Sequence, residues 1–451
     1  MTTHYPFFNQ CANVWRASIC ALSLLWACAC HDVSNAIDDS GVNPDTSTDT
    51  DTNVNNGTDT STPVENTYTG VDIILVVDNS GSMAQEQEML STALFSLINS
   101  LVNPLDSKST APLDDIRIGV TTSDMGVSYG GTPSTYTFSP HPVCSEGDGM
   151  GDNGAFVTAY LSTEINLQEN IIPCDASAAQ CPTGWSCDYI DAEGVGRCGD
   201  PNGDGTAQSC PPSAYDVSRP FVDNHYWTSE TMAFTTACLS SSVGTEGCAF
   251  EQQLAAGAAG MRNNDGFVRA DSLTAVIVIS DEEDCSLADD DWHSVEELAT
   301  PERNVACGLH PEYMETVIDM KDAYNNAKMS GGGPENAILF AAIIGVPPVP
   351  ECQGSGAAVS GCLDVPLEYG TVGDPEIIER LDPNGNPSAY YEYACERFDY
   401  AGYAITQAYP ASRIVELAQL FGNMGYIYSI CNEDWTPAMN AIAARITEIV
   451  N

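Results

Sequence analysis

The sequence predicts an α/β fold, a doubly wound, mostly parallel sheet flanked by helices, and three observations carry that expectation. Apolar, β-branched runs alternate along the chain with stretches that place apolar residues at helical spacing. The strand runs are apolar almost throughout, as expected of strands covered on both faces. Two of them end in loops rich in carboxylates and hydroxyls, at the strand ends where such sheets bind ligands.

The elements follow in order. Residues 71–77 read as the first strand, about 83–102 as the first helix, and 116–122 as the second strand. From about 125 to 240 no period is clear. A helix near 249–262, with Phe250, Leu254, Ala258 and Met261 on one face, and a strand at 274–280 resume the core. A helix at about 311–328, a strand at 337–345, a helix at about 412–421 closed by Gly422 and a strand at 425–430 come next. A last helix, 436–449, puts Met439, Ile442, Ile446 and Ile449 on one face. The domain from 69 to 451 is longer than this fold requires, so insertions are expected at about 125–240, 284–310 and 347–411.

Ahead of the domain, residues 17–30 form an apolar run too short to span a bilayer comfortably, preceded by Arg16; it reads as a signal peptide. Small residues before a cysteine resemble the bacterial lipobox, and two cysteines compete for the lipid. Cys28 follows Leu25 and Ala27 at the two diagnostic positions. Cys30 follows Ala27 and Ala29, and cleavage there leaves no spare thiol beside the fourteen cysteines from Cys144 onward. Free secretion after simple cleavage is the alternative. Residues 31–68 carry Asp, Asn, Ser and Thr with no Lys or Arg, a composition that cannot offset its ordering entropy. Such a tract is expected to act as a tether, its span about 5–6 Å times the square root of its length.

The most telling residues end the first strand, in the run Val71-Asp72-Ile73-Ile74-Leu75-Val76-Val77-Asp78-Asn79-Ser80-Gly81-Ser82-Met83. One carboxylate and two hydroxyls beside a helix start suit a hard divalent cation with oxygen ligands. On its own, D-x-S-x-S also serves as a helix cap.

This motif resembles the metal-ion-dependent adhesion site of the von Willebrand factor type A domain family, which a threonine and an aspartate from two further loops complete. Thr245, in Gly244-Thr245-Glu246-Gly247, matches the family's threonine. Asp281, at the end of Leu273-Thr274-Ala275-Val276-Ile277-Val278-Ile279-Ser280-Asp281, matches its last ligand. Glu282-Glu283 stands where most members have glycine. The run Ser280-Asp281-Glu282-Glu283-Asp284-Cys285, with Gly247-Cys248-Ala249-Phe250-Glu251-Gln252, is similar to a subgroup of bacterial, cysteine-rich, secreted lipoproteins with this domain. The resemblance implies that Asp78, Ser80, Ser82, Thr245 and Asp281 hold Mg2+ or Mn2+, with Ca2+ as an extracellular alternative. It implies too that an open coordination position takes an acidic group from a partner protein.

Cysteine usage explains how the insertions hold shape. Cys174, Cys181, Cys187, Cys198 and Cys210 fall among Gly, Pro, Asp and Asn, with no histidine among them and no C-x-x-C pair, so disulfides are expected rather than zinc. Cys352 and Cys362 suggest a local loop. Inside this module Asp200-Pro201-Asn202-Gly203-Asp204-Gly205 matches the first half of a calcium-binding EF-hand loop, making Asp200, Asn202 and Asp204 candidate calcium ligands. Position twelve is Pro211, however, and an Asp/Gly turn is the plainer reading, as it is for Asp382-Pro383-Asn384-Gly385-Asn386.

Fourteen Lys plus Arg against 63 Asp plus Glu give a formal net charge of -49, which disfavours nucleic acid and anionic lipid as partners. The six histidines form no H-E-x-x-H pair, and there is neither a nucleophile elbow nor a phosphate loop. The expectation is a non-enzymatic, exported or lipid-anchored envelope module that binds a protein through a divalent cation. A scaffolding lipoprotein whose metal only stabilises loops is the alternative, followed by a metal-dependent hydrolase.

Overall fold

Strand β1 (Gly70–Val77) is buried along its whole length, because it lies inside the sheet with a helical layer on each side. A computed structural model describes residues 68–104, 111–126, 151–158, 164–167, 173–174, 181, 185–188, 196–199, 207–210, 220–245, 247, 250–288, 307, 311–367, 372, 377–381, 387–391, 393–398 and 402–451. Cys28, Cys30, the tether, and the loop candidates Asp200, Asn202 and Asp204 lie outside these residues.

After β1 come a 3-10 turn (Gly81–Met83), α1 (Ala84–Val102), β2 (Ile116–Thr122), β3 (Val222–Asp223), α2 (Ser229–Ser240), α3 (Gln253–Asn263) and β4 (Ser272–Ser280). They are followed by α4 (Val317–Ser330), β5 (Ile338–Ile344), β6 (Gly354–Ser355), α5 (Ala357–Cys362), the hairpin β7 (Cys395–Phe398) and β8 (Ala404–Ala408), α6 (Ser412–Leu420), β9 (Gly425–Ser429) and α7 (Thr436–Val450). The seven-stranded sheet runs β6-β9-β5-β4-β1-β2-β3. Its five central strands are parallel, and the two-residue strands β3 and β6 close the edges antiparallel. From β1 the chain winds first to β2 on one side and then to β4 on the other, which makes the β1/β4 boundary the point where winding reverses.

Alternate residues of β1 feed two cores. Ile73, Leu75 and Val77 pack with α1, α2 and α7, while Ile74 and Val76 pack with α3, α4 and α6. Met89, Leu90, Ala93, Leu94, Leu97, Ile98 and Leu101 give α1 its buried face. Each fully buried Ile or Leu in these layers contributes about 1.5–3 kcal/mol.

Two element assignments differ from the sequence expectation. Helix α2 lies in the stretch without a clear period. It is buried continuously from Met232 to Ser240, so no polar face marks its turns, and Thr228 caps it by accepting from the Thr231 N–H at 3.2 Å. The helix expected at 311–328 is a 3-10 turn at Pro311–Tyr313 followed by α4, which starts after Thr316, whose hydroxyl accepts from the Asp319 N–H at 3.1 Å.

Among the described residues, six disulfides join Cys174 to Cys187, Cys181 to Cys198, Cys210 to Cys238, Cys285 to Cys307, Cys352 to Cys362 and Cys395 to Cys431. Four of the five clustered cysteines pair among themselves, and Cys210 ties the module to α2. The sulfurs of Cys174, Cys181 and Cys187 lie within 4.8 Å of one another, a spacing that would suit a metal if they were reduced. As disulfides they offer no thiolate. Disulfides in this number fit an exported or secreted protein. Among the described residues no helix is long and apolar enough to cross a membrane.

Candidate metal centre

The site is built where winding reverses. Register pairs Val77 with Ile279, and the Asp78 N–H continues the ladder by donating to Ile279 O at 2.9 Å. Asp78 and Ser280 therefore emerge side by side from adjacent parallel strands. Ser280 Oγ donates to Asp78 Oδ2 at 2.5 Å, and the Ser80 N–H donates to Asp78 Oδ1 at 2.8 Å. Both contacts fix the orientation of a carboxylate that is fully buried.

The hydroxyls converge from the turn before α1. Ser80 Oγ lies 3.0 Å from Ser82 Oγ, and Ser82 Oγ donates to Asp281 Oδ1 at 3.1 Å. Gly81 and Ser82 are exposed whereas Asp281 is 3% exposed, so the cluster opens to solvent at Ser82 and is closed below.

Thr245 sits on the third loop, against the first. Its carbonyl oxygen is 3.8 Å from where a Cβ on Gly81 would stand. Gln87, on α1, clasps the two loops by donating from Nε2 to Gly244 O at 2.8 Å and to Asp78 O at 3.3 Å. The Gly247 N–H donates to Asn79 O at 3.0 Å, and a Cβ at Gly247 would fall 2.2 Å from Asn79 Oδ1. Only glycine permits that approach. The three loops singled out by sequence thus meet, with Asp78, Ser80, Ser82 and Asp281 joined by hydrogen bonds and Thr245 beside them.

The acidic run after β4 fans outward, each carboxylate to a different task. Asp281 faces Ser82. The Glu282 N–H donates to Ser280 Oγ at 3.1 Å, while its side chain meets that of Glu251. Glu283 caps α6, accepting from the N–H groups of Ser412 at 2.9 Å and Arg413 at 3.2 Å and from the Ser412 hydroxyl. Asp284 accepts from the Leu254 N–H at the start of α3 at 3.0 Å and from Arg413 Nε at 3.1 Å. Glu283 and Asp284 therefore buttress two helices beside the site.

Charge is the dominant property of this cluster. Burial pushes Asp281 well above the usual carboxylate range, the neighbouring Asp78 and Glu282 charges add to it, and the Ser82 hydrogen bond opposes it. Burial raises Asp78 against the hydrogen bonds from Ser280 and Ser80. Glu251, 1% exposed, is driven well up by burial, then by Glu282 and Asp78. Burial also raises Glu86, one turn into α1, although it accepts from the Thr406 hydroxyl at 2.5 Å and feels Arg397. Among the described residues Asp78, Asp281 and Glu251 have no Lys or Arg ion-pair partner. Several carboxyl groups that repel one another in a low-dielectric interior call for a positive charge.

Sequence spacing assigns no role to Gln87, Glu251, Gln253 or Ser280. Gln87 and Gln253 were legible only as polar positions on otherwise buried helix faces, and Ser280 as the polar end of an apolar strand. Comparison with family models, with curated proteins and with solved structures returns no match. The fold and the site therefore define the class by themselves: an α/β domain with a buried cluster of carboxylates and hydroxyls at its winding reversal.

Proposed function

We propose that this chain is a von Willebrand A-like, exported binding module in which Mg2+ or Mn2+, held by Asp78, Ser80, Ser82, Thr245 and Asp281, bridges to a carboxylate of a partner protein. The observation that carries the proposal is the chain of oxygens Ser80 Oγ, Ser82 Oγ and Asp281 Oδ1, spaced 3.0 and 3.1 Å apart beside the buried Asp78. Ligands at 2.0–2.1 Å on adjacent corners of an octahedron are about 3 Å apart, so these hydrogen-bonded oxygens would need little movement to take Mg2+. The donor set is hard, all oxygen, and open to solvent on the Ser82 side. With so acidic a chain, a partner's carboxylate would be repelled unless a cation stood between them.

A lipid anchor at Cys28 or Cys30 followed by a tether would hold the module clear of a membrane. The same observations support a second reading, because Glu283 and Asp284 tie the site's loop to α6 and α3. Under that reading a metal at Asp78 serves stability alone.

Thermal melts of the protein and its Asp78→Ala variant, with Mg2+, Mn2+, Ca2+ or chelator, test the ion. Wild type gains melting temperature in a concentration-dependent way and the variant does not. Water-proton relaxation of the Mn2+-loaded protein tests the bridge. Titration with a Glu-containing peptide lowers the relaxivity if a carboxylate displaces ion-bound water, and leaves it unchanged if the metal is structural.

A further inference from the structure

Beside Ser280 and Asp78, two buried acceptor oxygens have no hydrogen-bond partner among the described residues: Glu251 Oε1 and Gln253 Oε1. Both side chains are at most 1% exposed. The orientation of the Gln253 amide follows from Ser280. The Ser280 proton goes to Asp78 Oδ2, so Ser280 Oγ can only accept from Gln253, at 2.7 Å, and the group facing it must be Nε2. Gln253 Oε1 is left as the unpartnered atom.

Glu251 faces Glu282 closely enough for their carboxyl groups to hydrogen-bond, and Glu251 lies within the field of Asp78. A single proton shared by Glu251 and Glu282 would join one oxygen of each. It would leave Glu251 Oε1 and Gln253 Oε1 without donors, at a cost of about 1–3 kcal/mol for each buried group. A cation that takes several oxygens removes both deficits together.

We propose that Glu251 and Glu282, with Gln253 Oε1 as a neutral third oxygen, hold a second hard divalent cation behind the first, so that the module carries a two-ion centre. Ser280 and Asp78 separate the two ions and link them: Ser280 Oγ touches Asp78 on one side and the Gln253 amide on the other. The inner ion has no exposed ligand, so it takes no partner group. Its role is to neutralise the carboxylates behind Asp78 and Asp281 and so set the charge of the outer ion's surroundings. The inference shares its neighbourhood with the proposed adhesion site but rests on different ligands.

Mn2+ is the probe. Equilibrium titration followed by electron paramagnetic resonance counts bound ions in the full chain, in Glu251→Gln, and in the double variant Ser80→Ala, Ser82→Ala. Circular dichroism verifies that each variant is folded, and Glu251→Asp replaces Glu251→Gln if that chain is not. Two ions in wild type with dipolar broadening between them, and one in each variant, is the expected result. One ion in wild type that survives Glu251→Gln overturns the second site and leaves the first standing. One ion that is lost in Glu251→Gln but survives in the serine variant upholds the inner site and overturns the outer one. Two ions in wild type that both survive Glu251→Gln overturn the assignment to Glu251, and no bound ion in wild type overturns both sites.

Discussion

Ser280 and Asp78 end neighbouring parallel strands and meet through a 2.5 Å hydrogen bond, so the carboxylate at the winding reversal is aimed by a residue from the adjacent strand. Ser280 also accepts from the Glu282 N–H and from Gln253 Nε2. One hydroxyl thus fixes three groups around the proposed ions.

Ser280→Ala is expected to leave Gln253 Nε2 without an acceptor and Asp78 held by Ser80 alone. The stability loss should be about 1–3 kcal/mol, as for a buried group stripped of its partner. The gain in melting temperature with Mg2+ should shrink as well. Denaturant melts with and without Mg2+ check both; an unaltered Mg2+ response would show that Asp78 needs no aiming.

Gly247→Ala tests the contact between the Thr245 loop and the Asp78 loop. The new Cβ would meet the Asn79 amide at 2.2 Å, and Asn79 is 6% exposed with little room to move. Overpacking of this kind costs about 1–3 kcal/mol. Because the displaced loops are those proposed to share an ion, Mn2+ affinity should fall by more than in a surface control such as Glu448→Ala, measured by calorimetry.

The pH dependence of the metal-free protein should run opposite to that of most acidic proteins. Burial raises Glu283 from its ordinary 4.5 to about 7 despite its cap on α6, and Asp78, Glu86, Glu251 and Asp281 are all shifted up. For a group raised on folding, the native state binds more protons between the two values. The stability it contributes is complete below 4.5 and is lost as pH rises through about 7. Glu283 alone accounts for a loss on the order of 3 kcal/mol across that window. The melting temperature in chelator should therefore fall from pH 5 to pH 7.5. Glu283→Gln should flatten part of the slope, and Mg2+ should flatten the part that belongs to the site. A chelator-treated protein that is equally stable at both pH values would refute this account.

The sheet was legible because its strands are apolar and β-branched from end to end; all five central strands were read to within two residues at each end. The loops are legible where they carry motif spacing, which is why Asp78, Ser80, Ser82, Thr245 and Asp281 can be named; hydrogen bonds join four of them, and the Thr245 loop packs beside Gly81. What stayed hidden follows from burial. Helix α2 has no solvent face and hence no period, and the partners of Ser280, Glu251 and Gln253 are set by strand adjacency, which local spacing does not encode. Similarly, the acidic run from Asp281 to Asp284 reads as one charged loop, but its members split among a hydroxyl, a carboxyl group and two helix starts. Pairing of cysteines was open except for the local loop Cys352 to Cys362, since the partners of Cys210 and Cys395 come from elements far along the chain.

At the opposite end of β1 from the site, the scarce cations of this chain serve structure. Asp72 is fully buried in β1 and accepts from the Arg269 N–H at 2.8 Å, from Arg269 Nε at 2.7 Å and from the Ser272 hydroxyl; Arg269 also reaches Asp115. Lys328 donates to Arg269 O and Ser272 O, each at 2.7 Å. Removing one partner strands a charge in the interior. Arg269→Ala should therefore cost about 3–5 kcal/mol. Asp72→Ala should cost a comparable amount, because Arg269 is only 15% exposed and loses its principal acceptor. The double variant should fall well short of the sum, since it leaves neither charge unpaired. Urea melts of the four proteins close this cycle, and because the network sits a full strand length from Asp78, the Mg2+-induced gain should be the same in each folded variant. A Mg2+ response that weakens in step with the loss of Arg269 would instead couple the two ends of β1.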